Sequence, residues 1–319
     1  MILRKRLITP LATSLVAALF LSNLTFAQDG QEVKVTESAA VVADDKKEDP
    51  TVQSVEEEVR GSAEDEAAKR RKKLVEDAVE ALDETQKALS ALDKGDTEAA
   101  LEALAIANGK LDLVVLRNPR LALAPVDNRV VTYDLFATVE SIDAAKKRAL
   151  KYMKEGRLQE ARSLIENLRS EVVIEVVNVP LATYPAAIRA IAPLLDEGKV
   201  EEAKTALQRA LNTLVVVEHS HALPVIRAKH MLTRAEGLAE TTERSDEEAD
   251  ELTSLIEGAR RQLELAEALG YGHVDDFAGY YEQLDEIAGK TSDGKSGTGF
   301  FDKIRAALRS FGESASGTT

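Results

Sequence analysis

Three stretches decide how this chain reads: ALDKGDTEAALEALAIANGKLDLVVLRNP at residues 91–119, KYMKEGRLQEARSLIENLRSEVVIEVVNVP at 151–180 and PLLDEGKVEEAKTALQRALNTLVVVEHSHALP at 193–224. Gly95, Ala100 and Pro119 fall on Gly156, Ala161 and Pro180 at one offset. Gly156 and Ala161 fall on Gly198 and Ala203 at a second. One supersecondary unit is therefore used three times. Each glycine supplies the left-handed or open backbone that a tight interhelical turn needs, and the small alanine one turn later lets two helices approach closely. That is the grammar of helical hairpins. It predicts an all-α fold of TPR-like hairpin repeats forming a bundle or short solenoid, with the proline-bearing loops gathered at one end.

Working outward, composition agrees with helices. Of 319 residues 44% are hydrophobic but only 4% aromatic, with no Trp, so alanine, leucine and glutamate carry packing and solvation, a poor match to a sandwich or barrel. The formal charge of −15 repels nucleic acid and anionic lipid, and no basic patch with interleaved aromatics offsets it. Cysteine is absent, which removes disulfides, thiol nucleophiles and Cys-based metal sites.

The ends differ from the middle. Arg4 to Arg6, the apolar run 11–24 and Thr25-Phe26-Ala27 have the pattern of a signal peptide over residues 1–27, cleaved after Ala27,. This places the mature chain in the periplasm with no transmembrane span. Residues 28–61 are acidic and lack apolar periodicity, which predicts a disordered linker. Residues 62–289 are read as one helical domain, a 290–299 Gly/Ser linker follows, and residues 300–312 form a basic amphipathic helix. On that helix Phe300, Phe301, Ile304, Leu308 and Phe311 share one face, with Lys303, Arg305 and Arg309 off it,. A face so apolar needs a surface from the body, a second subunit, a client or a membrane, and the acidic body favours docking onto the chain itself or a sister subunit over anionic lipid.

Within the domain, Leu74, Ala78, Leu82, Ala88 and Leu92 recur at helical period,. The β-branched runs at 113–116 and 172–177 are open to both helix and strand readings. The repeat alignment assigns both as buried helix ends. Residues 118–133, with two prolines, are expected to be an extended loop. A helix is expected over 224–239, then a capping box at Ser245 with Glu248 opening a helix that buries Leu252, Leu255, Ile256, Ala259, Leu263 and Ala266 and stops at Gly270,. Tyr271, Phe277, Tyr280, Leu284 and Ile287 are assigned to a last short helix.

At these residues the chain resembles the YfdX family of secreted, helical bacterial proteins. The matching features are the glycine turns at Gly95, Gly156 and Gly198, the loop Val179-Pro180-Leu181-Ala182-Thr183 leading to Leu194-Leu195-Asp196-Glu197-Gly198, and Leu269-Gly270-Tyr271-Gly272. The resemblance implies a link to heat, acid or envelope stress and supplies no catalytic residue set.

The chemistry-bearing residues are few. His219-Ser220-His221 and His230 lie close in sequence; His219, His221 and His230 are the candidate zinc or copper ligands, and imidazole is also the group that titrates as a compartment acidifies. No nucleophile elbow, phosphate loop, dinucleotide fingerprint or metalloprotease helix occurs, and paired glutamates such as Glu201-Glu202 sit on solvated faces. The expected function is a non-enzymatic, chaperone-like stress protein without a cofactor that binds unfolded polypeptide or an envelope partner, and that forms homo-oligomers. The alternative is a small-molecule or metal-binding protein in which Tyr133, Tyr184, His219 and His221 converge at the loop end.

Overall fold

The computed structural model describes residues 34–37, 49–73 and 75–315. The segment read as a signal peptide, residues 28–33 and 38–48 of the acidic linker, and Leu74 lie outside the described residues. The chain opens with strand β1 (Lys34–Glu37) and helices α1 (Pro50–Gln53) and α2 (Glu56–Arg71). The three repeats follow. Helices α3 (Glu76–Asp93) and α4 (Thr97–Arg117) lead to β2 (Leu123–Asp134), and α5 (Val139–Lys154) and α6 (Leu158–Glu166) lead to β3 (Glu171–Pro180). After α7 (Tyr184–Arg189), α8 (Ala192–Asp196) and α9 (Val200–Leu211) lead to β4 (Val215–Ala222). Helices α10 (Leu223–Glu240), α11 (Asp246–Leu269), α12 (Val274–Thr291) and α13 (Asp302–Ala315) close the fold.

The three expected turns are present. Gly95, Gly156 and Gly198 hold φ of 78°, 74° and 73° between consecutive helices, the left-handed region that only glycine enters without strain. Ala100, Ala161 and Ala203, one turn further, are all buried. The fold is mostly helical, but all-α needs correcting, because each hairpin is followed by a strand. The strands form one sheet in the order β1-β2-β3-β4, with β1 parallel to β2 and the other pairs antiparallel.

The error is physical and local. In the first repeat 113–116 is helical as expected, since α4 runs to Arg117, but it is not a buried end: Val114 alone is buried and Leu113, Val115 and Leu116 are exposed. The strand comes only after Asn118-Pro119. In the second repeat the aligned run is strand β3, not a helix end. Val172 through Val179 are all buried, so both faces of β3 are covered and the alternation that marks a half-exposed strand is absent from the sequence. Five valines and an isoleucine among its ten residues favour the pleated surface, where β-branched side chains keep their preferred rotamers. The loop expected over 118–133 is β2 from Leu123, with the alternating burial of a strand.

The hairpins also do not stack in chain order as a solenoid. The first packs against the third, α3 on α9 and α4 on α8, while the second lies apart with α5 against α11. Its root is fixed by a small apolar cluster of Leu135, Ile142 and Ala268 and by Lys146 Nζ donating to the Ala268 carbonyl at 2.8 Å.

The main core runs from β3 outward. Val172 and Ile174 meet Leu223, Met231 and Leu232 of α10, then Leu255, Ile256 and Leu263 of α11 and Phe277 and Leu284 of α12. α11 starts at the expected capping box, with Ser245 N–H donating to Glu248 at 2.8 Å and Glu248 N–H donating to Ser245 Oγ at 3.2 Å. The acidic linker ends earlier than its composition suggests: Val55, Val59, Ala63 and Ala67 recur every fourth residue and are buried in this core, so residues 50–53 and 56–61 are helical.

Candidate binding surface

Strand β4 is the last strand of the sheet among the described residues, and its two halves differ. Its sequence, VVVEHSHA, begins with a β-branched run that favours a strand and ends in polar residues that lead into Pro224 at the head of α10,. The Val215–Val216 end is open: the two side chains are 37% and 47% exposed. At the other end Leu223 N–H donates to the Ser170 carbonyl at 2.9 Å, locking the strand's exit to the start of β3.

The histidines sit on the covered half. In register, His221 lies opposite Val172 and His219 opposite Ile174, and these two rows continue to Thr132 and Val130 of β2. Directly opposed residues share a face of the sheet, so both imidazoles lie on the face that carries Val172 and Ile174 into the main core. Burial pushes both below the usual histidine value; Arg70 lowers them further and Glu66, on α2, opposes. His221 Nε2 is buried without a hydrogen-bond partner. His230 lies on α10, its Nε2 2.9 Å from Ser62 Oγ of α2, and burial again lowers its pKa, with Glu58 opposing. Among the described residues no group of three His, Asp or Glu side chains is arranged to hold a metal ion.

The four residues of the alternative pocket do not converge. Tyr133 alternates to the sheet face opposite His219 and His221 and lies under the Arg169 guanidinium, 3.9 Å from its ring centre. Tyr184 is fully buried at the start of α7, and that burial pushes its phenol up to about 12. The proline loops separate as well. Leu181 N–H donates to the Ala122 carbonyl at 3.0 Å, joining the first two loops. The third, before Pro224, sits at the other end of β3, since Ala222 pairs with Glu171 while Pro180 pairs with Leu123. Two surface clefts, one lined by Lys229, Leu232 and Arg305 and one by Asp49, Glu251 and Arg261, include none of these tyrosines or histidines.

The C-terminal helix packs on the chain's own body, one of the acceptors expected for its apolar face. Phe301, Ile304 and Leu308 are buried in the main core and Phe300 packs half-buried against it, while the Phe311 side chain lies outside the described residues. Arg305 forms an ion pair with Glu236 of α10, so its basic residues meet an acidic body as its charge requires. The linker is held too: Gly297 N–H donates to the Ala239 carbonyl at 3.1 Å, and the Arg244 guanidinium donates to the Lys295 carbonyl.

Sequence reasoning missed one buried charge cluster. Arg227, on the core face of α10, donates to both carboxylate oxygens of Asp134 at 2.9 and 2.7 Å, and to Glu56 at 3.0 and 3.3 Å. It ties the end of β2 and the start of α2 to α10. A lone arginine between Val225 and Met231, on an otherwise apolar stripe, was the available signal, because a buried guanidinium demands carboxylate partners.

Residues 81–220 match the family model described as YfdX protein. The chain carries a YfdX domain. Its bounds run from within α3 to within β4, so it holds the three hairpins and the strands β2 to β4, and it ends short of the 62–289 span suggested by the sequence. The chain is similar to a solved structure of YfdX from Salmonella Typhi, at 20% identity, covering 47% of this chain and 93% of that chain, with a TM-score of 0.32. No curated protein matches the chain.

Proposed function

We propose that this YfdX-domain protein is a non-enzymatic binding protein of the bacterial periplasm, acting under heat, acid or envelope stress by holding extended polypeptide in a chaperone-like way. The observation that carries the reading is the open end of β4, where two exposed valines flank backbone that no other described strand pairs with. An unpaired edge is a template for an added strand: main-chain hydrogen bonds supply sequence-tolerant affinity and alternate side chains find apolar contact. The acidic chain keeps a loaded complex soluble by charge repulsion,. The periplasmic location is supported by the n-region, apolar run and small residues of positions 1–27,.

The test is light scattering of a heat-denatured model protein with and without the purified chain. The wild type should suppress aggregation, and Val216→Lys, which charges the edge at an exposed position, should lose most of that suppression with an unchanged circular dichroism spectrum. Equal suppression by the variant would remove β4 from the function, and no suppression by the wild type would remove the chaperone-like reading.

A further inference from the structure

The three hairpins are equivalent in sequence and unequal in burial. Leu92 of the first hairpin and Leu195 of the third are 1% and 5% exposed; Met153, at the same repeat position in the second, is 49% exposed. Leu104 and Leu207 are 1% and 0% exposed, whereas the equivalent Ile165 is 51% exposed. From Leu150 to Glu160 no residue is buried and only Tyr152 is half-buried. Leu150 and Leu158 add to the open surface at 55% and 60%.

Elsewhere the helices that carry these positions pack on another hairpin and, for α4 and α9, on α7 as well. The first and third are paired reciprocally, the first helix of each against the second helix of the other, α3 on α9 and α8 on α4. That is the arrangement of an isologous two-fold contact, built inside one chain from two copies of one unit. The second hairpin has the same apolar positions and no hairpin against it: among the described residues α6 packs substantially on α5 alone.

We propose that the α5–α6 hairpin is a self-association surface whose occupant is the α5–α6 hairpin of a second copy of this chain, α5 of each against α6 of the other. The resulting dimer repeats between chains the packing that α3–α4 and α8–α9 make within one. Met153, Leu158 and Ile165 form its apolar centre. Charge sets its strength. Across the internal pair Lys204 Nζ lies 3.4 Å from Asp93, and the repeat offsets place Arg162 and Lys154 at these two positions of the second hairpin. The two-fold contact therefore meets like charges twice, on a hairpin that carries seven lysines and arginines against five carboxylates between residues 139 and 166. Association is weakened at low ionic strength and strengthened by screening salt.

Sedimentation velocity of the purified chain, across protein and salt concentration, tests this directly. The expected result is a reversible monomer–dimer equilibrium that shifts toward dimer as salt rises. Ile165→Lys, at an exposed position, should leave the circular dichroism spectrum unchanged and move the equilibrium to monomer. Lys154→Asp gives the sharper result: it restores the carboxylate that Asp93 provides internally, so it should tighten the dimer by about tenfold and reverse the salt dependence. A wild type that is monomeric under all conditions, or a dimer indifferent to Ile165→Lys, overturns the proposal. So does a monomer that binds vesicles of anionic phospholipid and loses them on Lys154→Asp, because the surface would then belong to lipid.

Discussion

In the α3–α4 and α8–α9 hairpins, which pack on each other, leucines at matched positions are buried, while in α5–α6 a methionine and an isoleucine at those positions are exposed. All three share the glycine turn and the buried alanine. A repeat in the sequence thus fixes how a hairpin closes on itself, and says nothing of what the hairpin packs against. The difference lies one level up, in topology: three strands forming an antiparallel sheet let the first and third hairpins meet and leave the second alone.

The largest effect that sharpens this contrast is cavity formation. Leu207→Ala should cost about 2–5 kcal/mol in urea unfolding, as expected for deleting a fully buried leucine,. The equivalent Ile165→Ala, at protein concentrations where the chain is monomeric, should stay within about 0.5 kcal/mol of wild type. Comparable losses at both positions would mean that the second hairpin is covered and the contrast is false.

Overpacking comes next and separates two kinds of contact. Ala161 is buried although its hairpin has no partner hairpin, so the alanine marks the contact between the two helices of one hairpin. Ala161→Leu and Ala203→Leu should therefore destabilise alike, each by about 1–3 kcal/mol. A loss at Ala203 with none at Ala161, read as a difference in melting temperature, would assign the alanine to the interface between hairpins.

What could be read beforehand follows the same division. The turns, the Ser245 capping box and the buried stripe of α11 depend on neighbours within a few residues, and the sequence displays them. β3 was not legible, because full burial erased its alternation and the repeat alignment tied it to a true helix in α4. The acidic linker hid a helix whose only sign was Val55, Val59, Ala63 and Ala67 at every fourth position. The aromatic face of α13 announced that it needed cover, but amphipathicity cannot say which surface provides it; the ion pair of Arg305 with Glu236 joins residues far apart in sequence. The histidines were noticed for their spacing, yet β-strand geometry sends His219 and His221 to one face and leaves His230 on a helix, paired with Ser62.

Strand β4 repeats the contrast at a smaller scale, open at Val215 and Val216 and covered at His221, and the smallest predicted effect lies there. Burial, the leading influence on His219, His221 and His230, holds all three below the usual 6.5. Arg70 and Lys229 favour the neutral form of His221 as well, against Glu66. Near neutral pH and above, these imidazoles are uncharged in both folded and unfolded chains and contribute no pH dependence. Below about 6.5 the unfolded chain takes up protons that the folded chain resists, so stability falls as pH falls through that value and levels off below the folded pKa. His221, whose buried Nε2 has no partner, should contribute to this slope. His221→Gln removes its titration, so the difference in melting temperature between wild type and variant should shift in the variant's favour between pH 7.5 and 5. The carboxylates titrate in both proteins and largely cancel in that difference. A difference that does not change with pH would show that His221 is solvated in solution, and that the covered half of β4 is as open as Val216.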